Sequence, residues 1–147
     1  MDYLMLLPHE IEELINEYES VHNYRLPLDY KLFLKYHNYS CLRVKHFYLR
    51  RNNRRQKRTC TNIRFLTLDK TALFPSLWNF KIRGTRHLTT DSELKRLNRE
   101  YIIFAITFNR EMFGLNKKTN EIVFFDTYQP YLHAETIADS FKTFITT

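Results

Sequence analysis

The chain has 147 residues, the size of one domain, and 44% of them are hydrophobic and 16% aromatic. This content indicates a packed core and excludes a disordered chain. No apolar run approaches the roughly 18 residues that a membrane-spanning helix needs. The apolar stretch from Tyr3 to Pro8 is short and follows Asp2 instead of the basic segment of a secretory signal. We therefore expect a single domain over residues 1–147, located in the cytoplasm, or in the nucleus if the host is eukaryotic.

The net charge of +7 is concentrated in one stretch of the chain. Six basic residues fall within nine positions that contain no acid: Arg50, Arg51, Arg54, Arg55, Lys57 and Arg58. Without this basic run, 17 basic residues would face 16 acidic ones. Because the remainder is nearly neutral, a charged partner is expected to meet the protein at this run.

Two amphipathic helices are predicted near the N-terminus. Pro8 can open the first helix, and its apolar residues recur at helical spacing up to about Val21. They are Ile11, Leu14, Ile15 and Tyr18. Pro27 and Asp29 suit the start of a second helix that reaches about His37.

Two strands are predicted on either side of the basic run. Cys41 to Leu49 and Thr59 to Leu68 both carry apolar residues suited to a sheet. Asn52 and Asn53 provide a natural bend between them. The basic run is thus predicted to form either a long hairpin or a flexible loop at about residues 50–58.

The segment that follows gives weaker signals. Asp69 could cap a short helix that Pro75 would end, and the next residues are predicted to be irregular. Thr90 and Glu93 then fit a capping box, which predicts another short helix.

The last third of the chain predicts a meander of three strands. Tyr101 to Phe108 is apolar on both alternating faces, which is typical of a central strand covered on both sides. Met112 to Leu115 and Glu121 to Asp126 continue as two further strands. The polar connections at 109–111 and 116–120 suit turns, and the asparagines of the second tolerate a positive φ.

A closing helix is predicted after a loop that contains Pro130. Its apolar residues Ile137, Phe141, Phe144 and Ile145 form one stripe at helical spacing. We expect this stripe, with Phe141 at its centre, to lie on the meander. The fold class is accordingly α+β, with two N-terminal helices, a mostly antiparallel sheet and a C-terminal helix packed on the sheet.

Several of these segments resemble a known family. Leu115 to Phe125, followed by Ala138-Asp139-Ser140-Phe141 and Phe144, resembles the end of SUKH superfamily domains. Leu26 to Lys31 with Phe33-Leu34 resembles the helical signature of the same superfamily. Two glycine-containing motifs of the superfamily are absent, because Tyr39-Ser40 and Asn109-Arg110-Glu111 stand at their positions.

The resemblance implies a non-catalytic binding domain. In bacteria its commonest role would be that of an immunity protein, which neutralises a toxin or another effector by direct binding. One alternative is a virus-encoded SUKH-like protein that binds a host factor. Another, which comes from the charge and not from the resemblance, is a nucleic-acid-binding module that uses the basic run.

No catalytic, cofactor or metal site is predicted from the sequence. The histidines are scattered, without ligand spacing: His9, His22, His37, His46, His87 and His133. Two glycines in the whole chain exclude a glycine-rich phosphate loop. Cys41 and Cys60 are expected to be free thiols, and Cys60 could act as a nucleophile only beside a histidine. Asp126 and Tyr128 fit an ordinary strand end, so we expect neither an enzyme nor a small-molecule substrate.

The basic run is the predicted partner-binding site, through Arg50, Arg51, Arg54, Arg55, Lys57 and Arg58. Arginine outnumbers lysine in it, which favours bidentate contacts with carboxylate or phosphate. An acidic protein partner is favoured and nucleic acid is possible, because the nearest aromatic residues, Phe47 and Tyr48, both precede the run. A merely solvated loop or a nuclear-import address would have a similar composition.

Overall fold

The computed structural model describes residues 7–37, 40–51, 53–70, 76–83, 90–126, 132 and 134–146. Its helices are α1 (Pro8–His22), α2 (Leu28–His37), α3 (Asp91–Glu100) and α4 (Phe141–Thr146). Its strands are β1 (Cys41–Arg51), β2 (Arg54–Phe65), β3 (Tyr101–Ile106), β4 (Met112–Asn116), β5 (Ile122–Phe125) and β6 (Ala134–Ala138). Two helices precede an antiparallel sheet and a helix follows it, so the predicted α+β class is confirmed.

The sheet follows the order of the chain from β1 to β6, and each strand is antiparallel to its neighbours. β1 and β2 pair along nearly their whole length. β2 pairs with β3 only at its end, through Arg64 with Ile106 and Phe65 with Ala105. The β1–β2 hairpin therefore extends as a two-stranded ribbon beyond the part of the sheet that pairs on both sides.

Strands β3, β4 and β5, here called the meander, form the centre of the fold. All four residues of β5 and the four central residues of β3 are buried. A strand buried at consecutive positions is covered on both faces, which confirms the central strand predicted from the sequence. On one face lies an aromatic cluster of Phe47, Phe104, Phe113, Phe124 and Phe144, in which neighbouring rings lie 4.9–5.7 Å apart.

α2 and α4 cover this face together. Phe141 is 3% exposed, and its ring lies 5.4 Å from that of Phe104 in β3. The rings of Tyr30 and Phe33 of α2 lie 5.0 Å from it on other sides. The predicted burial of Phe141 against β3 is thus confirmed, and α2 contributes to it.

The predicted closing helix is too long at its N-terminal end. Ile137 belongs to β6, which pairs with β5, and α4 begins only at Phe141. Ser140 separates the two elements, because its hydroxyl accepts a hydrogen bond from the backbone N–H of Thr143 (3.1 Å). This cap starts the helix at Phe141. The residues before the cap pair with β5 and form β6 instead of helix.

The predicted extent of β3 is also wrong at one end. Phe108 is 94% exposed, because the strand ends at Ile106. Thr107 and Glu111 close a turn through backbone and side-chain hydrogen bonds of 2.9–3.2 Å. Within this turn Arg110 has a φ of 66°. The chain leaves the sheet at this turn, although the alternating apolar pattern of the sequence continues to Phe108.

Other local predictions are confirmed. Thr90 caps α3, since its hydroxyl accepts from the backbone N–H of Glu93 (3.2 Å). Asn120 takes a positive φ of 63° between β4 and β5. The predicted short helix at 69–75 falls largely outside the described residues, as does the loop that contains Pro130.

Candidate partner-binding surface

The basic run occupies the ends of β1 and β2, which pair as far as Arg51 with Arg54, so the hairpin alternative is the one found. Asn53 adopts a φ of 62°, which suits a tight bend. Residues that pair across an antiparallel ladder lie on the same face of the sheet. Arg50 pairs with Arg55 on one face, whereas Phe47 pairs with Arg58, three positions along the ladder, on the opposite face. The run is therefore divided between the two faces of the hairpin.

One face, here called the outer basic face, consists of Arg50, Arg55 and Lys57 around Tyr48. Tyr48 pairs with Lys57 and is 50% exposed. The guanidinium of Arg55 lies 4.2 Å from the centre of the Tyr48 ring. Arg50 and Arg55 stand directly opposite one another, an arrangement that repels.

This repulsion has no acidic compensation within the hairpin. From Cys41 to Leu68 the sequence contains neither aspartate nor glutamate. The side chains of Arg50, Arg54, Arg55 and Lys57 are all exposed. The arrangement is slightly unfavourable for the hairpin and exposes cations and one aromatic ring to solvent.

Arg58 projects from the other face of the hairpin into the domain. It forms an ion pair with Glu111 and lies 3.8 Å from a carboxylate oxygen of Asp126. Both acids are buried, and Glu111 also accepts a hydrogen bond from the Thr107 hydroxyl (3.1 Å). Burial opposes the charge of Arg58, but the hydrogen bond and the negative charges of the two acids together raise the pKa of its guanidinium. Arg58 thus links the hairpin to Glu111, which precedes β4, and to Asp126, which follows β5.

A second feature lies between β1 and β6, the two edge strands of the sheet. Their Cα atoms come within 8 Å of one another, and a cleft of ≈ 480 Å³ lies between them. It is lined by Lys45, His46, Phe47, Tyr48, Leu49, Arg50, Arg55, Thr136, Ile137, Ala138 and Phe144. We call this the edge cleft. It joins the outer basic face to the core of the domain.

Lys45 lies at the inner side of the edge cleft. It is 5% exposed and donates a hydrogen bond to the backbone carbonyl of Phe144. Its ammonium also lies 4.9 Å from the centre of the Phe144 ring. Burial lowers the pKa of Lys45. These contacts hold β1 against α4.

The sequence of the chain matches one family along most of its length. The family model described as SMI1-KNR4 cell-wall (SUKH_6) matches residues 12–145. The chain belongs to this family. The match includes most of α1, all of α2 and the sheet, and most of α4, so the resemblance of the two terminal segments to SUKH domains is confirmed. Neither the curated proteins nor the solved structures include a significant match to the sequence.

The described part of this SUKH domain contains four histidines and both cysteines. No group of three or more His, Cys, Asp or Glu side chains in it could hold a metal ion. Cys41 and Cys60 are both free thiols, with Cys41 exposed and Cys60 buried. Burial, followed by the charge of Glu111, raises the pKa of Cys60 to about 12, which makes its thiol a poor nucleophile. Asp126 lies beside Arg58, whereas Tyr128 lies outside the described residues.

The helices in the described part of the chain are short. None of those helices is both long enough and apolar enough to cross a membrane. The longest is α1, with 15 residues.

The roles of two residues around the hairpin were not predicted from the sequence. Tyr48 precedes the basic run but lies among its cations once the hairpin has formed. The bend predicted at Asn52 and Asn53 was sufficient to find it, because a bend there places position 48 opposite position 57, as the register shows. Glu111 gave no such signal: it lies in a polar turn, 53 positions from Arg58, and only the fold brings the two together.

Proposed function

We propose that this SUKH domain is a non-catalytic binding domain that captures an acidic protein through its outer basic face. The observation that carries the proposal is a half-exposed Tyr48 surrounded by Arg50, Arg55 and Lys57, in a hairpin without acids. Tyrosine and arginine are enriched among the residues that contribute most to protein–protein affinity. The partner is a toxin or another effector that the domain neutralises by direct binding, or a host factor if the source is a virus.

The division of the basic run favours a protein over nucleic acid. Nucleic acids bind through several phosphates that follow one another along a cationic track. In the hairpin, Arg58 is directed to Glu111, exposed Arg54 lies on the face opposite to Arg55, and the outer basic face retains Arg50, Arg55 and Lys57. So few cations support only weak non-specific binding at physiological salt, whereas they are sufficient for the polar contacts of a protein interface.

Tyr48 favours a second candidate function. An exposed aromatic ring among cations is the arrangement on which single-stranded nucleic acids stack their bases. The guanidinium of Arg55 already lies over this ring at 4.2 Å. A nucleotide base would therefore have to compete with Arg55 or use the opposite side of the ring, and we rank nucleic acid second for this reason.

The absence of catalysis is part of the proposal. A nucleophile or a general base needs a partner that adjusts its pKa. Cys60 is shielded from solvent, and its pKa is raised to about 12, which is opposite to what a nucleophilic thiol requires. The neighbouring acids Glu111 and Asp126 are directed to Arg58, which neutralises them.

The experiment compares the wild type with two variants of equal charge. The outer-face variant carries Arg50→Gln, Arg55→Gln and Lys57→Gln. The control variant carries Lys95→Gln, Arg99→Gln and Lys118→Gln, at exposed positions outside the hairpin. Each immobilised protein is exposed to an extract of the cells that make it, and the retained proteins and nucleic acids are quantified. Retained proteins are then purified, and their Kd values are measured.

We expect an acidic protein that binds the wild type and the control variant equally and is lost from the outer-face variant. Labelled single-stranded and duplex nucleic acids should bind weakly to all three proteins. Micromolar nucleic-acid binding that falls steeply with salt and disappears in the outer-face variant would favour the second candidate. Equal retention of the partner by both variants would show that the outer basic face is not its binding site.

A further inference from the structure

Phe108 is the most exposed large apolar side chain in the described part of the chain. It is 94% exposed, whereas the other exposed side chains of this class range from 47% to 72%. Packing within the domain therefore does not account for a phenylalanine at this position. Single apolar side chains are normal on protein surfaces, but this ring offers nearly all of its area to a partner, and phenylalanine is enriched at protein–protein interfaces.

The ring projects from a turn that hydrogen bonds hold in one shape. The backbone N–H of Arg110 donates to the carbonyl of Thr107 (3.1 Å), and the N–H of Thr107 donates to the carbonyl of Glu111 (2.9 Å). The Thr107 hydroxyl donates to the carboxylate of Glu111 (3.1 Å), which also forms the ion pair with Arg58. Thr107 and Glu111 are both buried, so the two ends of the turn are fixed in the domain. A backbone that is ordered before binding loses little conformational freedom when a partner binds.

The turn lies beside the hairpin. β3 ends at Ile106, which pairs with Arg64 of β2. At the other end of the turn, Glu111 contacts Arg58 of β2. The turn thus lies alongside the stretch of β2 between these two arginines, a length of about 20 Å. An interface of standard size covers about 800 Å² of each partner, or roughly 28 Å in each direction. One partner can therefore cover Phe108 and the adjoining outer basic face together.

The charges around Phe108 resemble those of the outer basic face. Arg110, in the same turn, is exposed. Glu111 and Asp126 are buried beside Arg58, so neither presents its negative charge to a partner. A pocket that receives the Phe108 ring would thus be bordered by acidic side chains of the partner.

We propose that Phe108 is an apolar anchor that enters a pocket on the acidic protein partner, while the outer basic face meets acidic side chains around that pocket. This inference rests on the proposed function and adds the feature of the partner that confers specificity. Cations attract many acidic proteins, whereas only a protein with an apolar pocket at the matching position can receive the ring. The two contacts together select one acidic protein among others.

The test compares the wild type with three single variants. Phe108→Ser removes the apolar anchor, and Phe108→Leu retains its apolar character. Leu28→Ser is the matched control, at a side chain that is 72% exposed at the start of α2, outside the hairpin and the turn. All four proteins should have similar melting temperatures, because the replaced side chains make few contacts.

The probes are the acidic protein captured by the wild type, in purified form, and a labelled oligothymidylate as a single-stranded nucleic acid. Kd values and dissociation rates are measured at low and physiological salt for these proteins and for the outer-face variant. Salt dependence separates the two contributions, because ions screen exposed charges but do not weaken the burial of a ring.

We expect Phe108→Ser to bind the acidic protein about 10- to 100-fold more weakly, mainly through faster dissociation, with the salt dependence of the wild type. Leu28→Ser should differ from the wild type by less than about twofold, and Phe108→Leu should lie between the two serine variants. The outer-face variant should instead show a reduced salt dependence. Equal affinity of Phe108→Ser and the wild type would overturn the inference. A loss confined to the oligothymidylate would also overturn it, because the ring would then stack on bases.

These outcomes are distinct from failure of the proposed function. If the outer-face variant loses the acidic protein but Phe108→Ser does not, the function stands and the anchor is wrong. If the outer-face variant binds with full affinity, or the wild type captures no acidic protein, the proposed function fails and this inference fails with it.

Discussion

The meander and the β1–β2 hairpin are parts of one sheet, but their side chains have opposite surroundings. In the meander, consecutive residues are buried, and aromatic rings of the strands contact rings of the helices. In the hairpin, the end is exposed, and positive charges face one another across the ladder. Apolar burial is the main favourable contribution to folding, whereas exposed like charges are slightly unfavourable. The comparison indicates that the meander stabilises the domain and that the hairpin end contributes little to the fold, which leaves it available for the proposed recognition.

The two regions meet at a small number of contacts. Phe47 of β1 lies 4.9 Å from Phe124 and 5.6 Å from Phe113 in the aromatic cluster. Arg58 of β2 pairs with Glu111, and Lys45 of β1 donates to the carbonyl of Phe144. An isolated two-stranded hairpin is marginally stable in water. These contacts at its base therefore fix the direction in which the basic end points.

The largest effect is expected from removing an aromatic ring of the core. Phe141→Ala should lower the free energy of unfolding by about 3–5 kcal/mol, because it leaves a cavity between Tyr30, Phe33 and Phe104. Phe108→Ala, at a residue that is 94% exposed, is the matched control and should change it by less than about 0.5 kcal/mol. Denaturant unfolding measures both. Similar values for the two variants would contradict the assignment of Phe141 to the core.

A smaller effect should distinguish Arg58 from the rest of the basic run. Arg58→Ala leaves the buried carboxylate of Glu111 without its ion pair, a loss that costs about 3–5 kcal/mol for a fully buried pair. Because the side chain of Arg58 is 30% exposed, we expect a lower cost of about 1–3 kcal/mol. Lys57→Ala, one position away and exposed, should cost less than about 0.5 kcal/mol. If both substitutions are equally harmless, Arg58 does not anchor the hairpin.

The buried thiol predicts how stability depends on pH. Burial raises the pKa of Cys60 from 9.0 to about 12, so above pH 9 the unfolded chain loses this proton while the folded chain retains it. The unfolded state then binds fewer protons, and stability falls as pH rises. Tyr18, whose pKa burial raises from 10.0 to about 12, contributes in the same direction. Unfolding curves measured across this range for the wild type and Cys60→Ala should show a steeper fall for the wild type.

The same environment predicts thiol reactivity at neutral pH. A thiol reagent should modify exposed Cys41 in the folded protein and reach Cys60 only after unfolding. Rapid modification of Cys60 in the folded state would contradict its burial and reopen the possibility of a nucleophilic role.

The smallest effect on stability is expected at the outer basic face. The outer-face variant should have the same melting temperature as the wild type or a slightly higher one, since it removes the repulsion between Arg50 and Arg55. Its control variant should also be unchanged. A marked loss of stability in the outer-face variant alone would mean that these side chains belong to the structure of the domain and would remove the contrast with the meander.

The sequence predicts elements whose signals are local. The caps and apolar spacing of α1, α2 and α3 lie within each helix, and the two-faced apolar pattern of β3 lies within the strand. β6 was missed because Ile137 also fits the spacing of a helix with Phe141, and only pairing with β5 makes it a strand. Phe108 continued the alternation of β3, but hydrogen bonds between Thr107 and Glu111 end the strand before it.

The candidate site was predictable in composition but not in arrangement. The basic run is visible in the sequence, and the bend at residues 52 and 53 was sufficient to place Tyr48 opposite Lys57. The pairing of Arg58 with Glu111 and the approach of β1 to β6 depend on how the sheet curls. Curvature results from packing along the whole sheet, so no short segment of the sequence encodes it.

The central claim is that the outer basic face binds an acidic protein and contributes little to the fold. The most direct test is a calorimetric titration of the captured partner into the wild type, the outer-face variant and the control variant. We predict that the outer-face variant binds at least about 30-fold more weakly, with the stability of the wild type, while the control variant differs by less than about twofold. Equal affinity of all three proteins would contradict the claim.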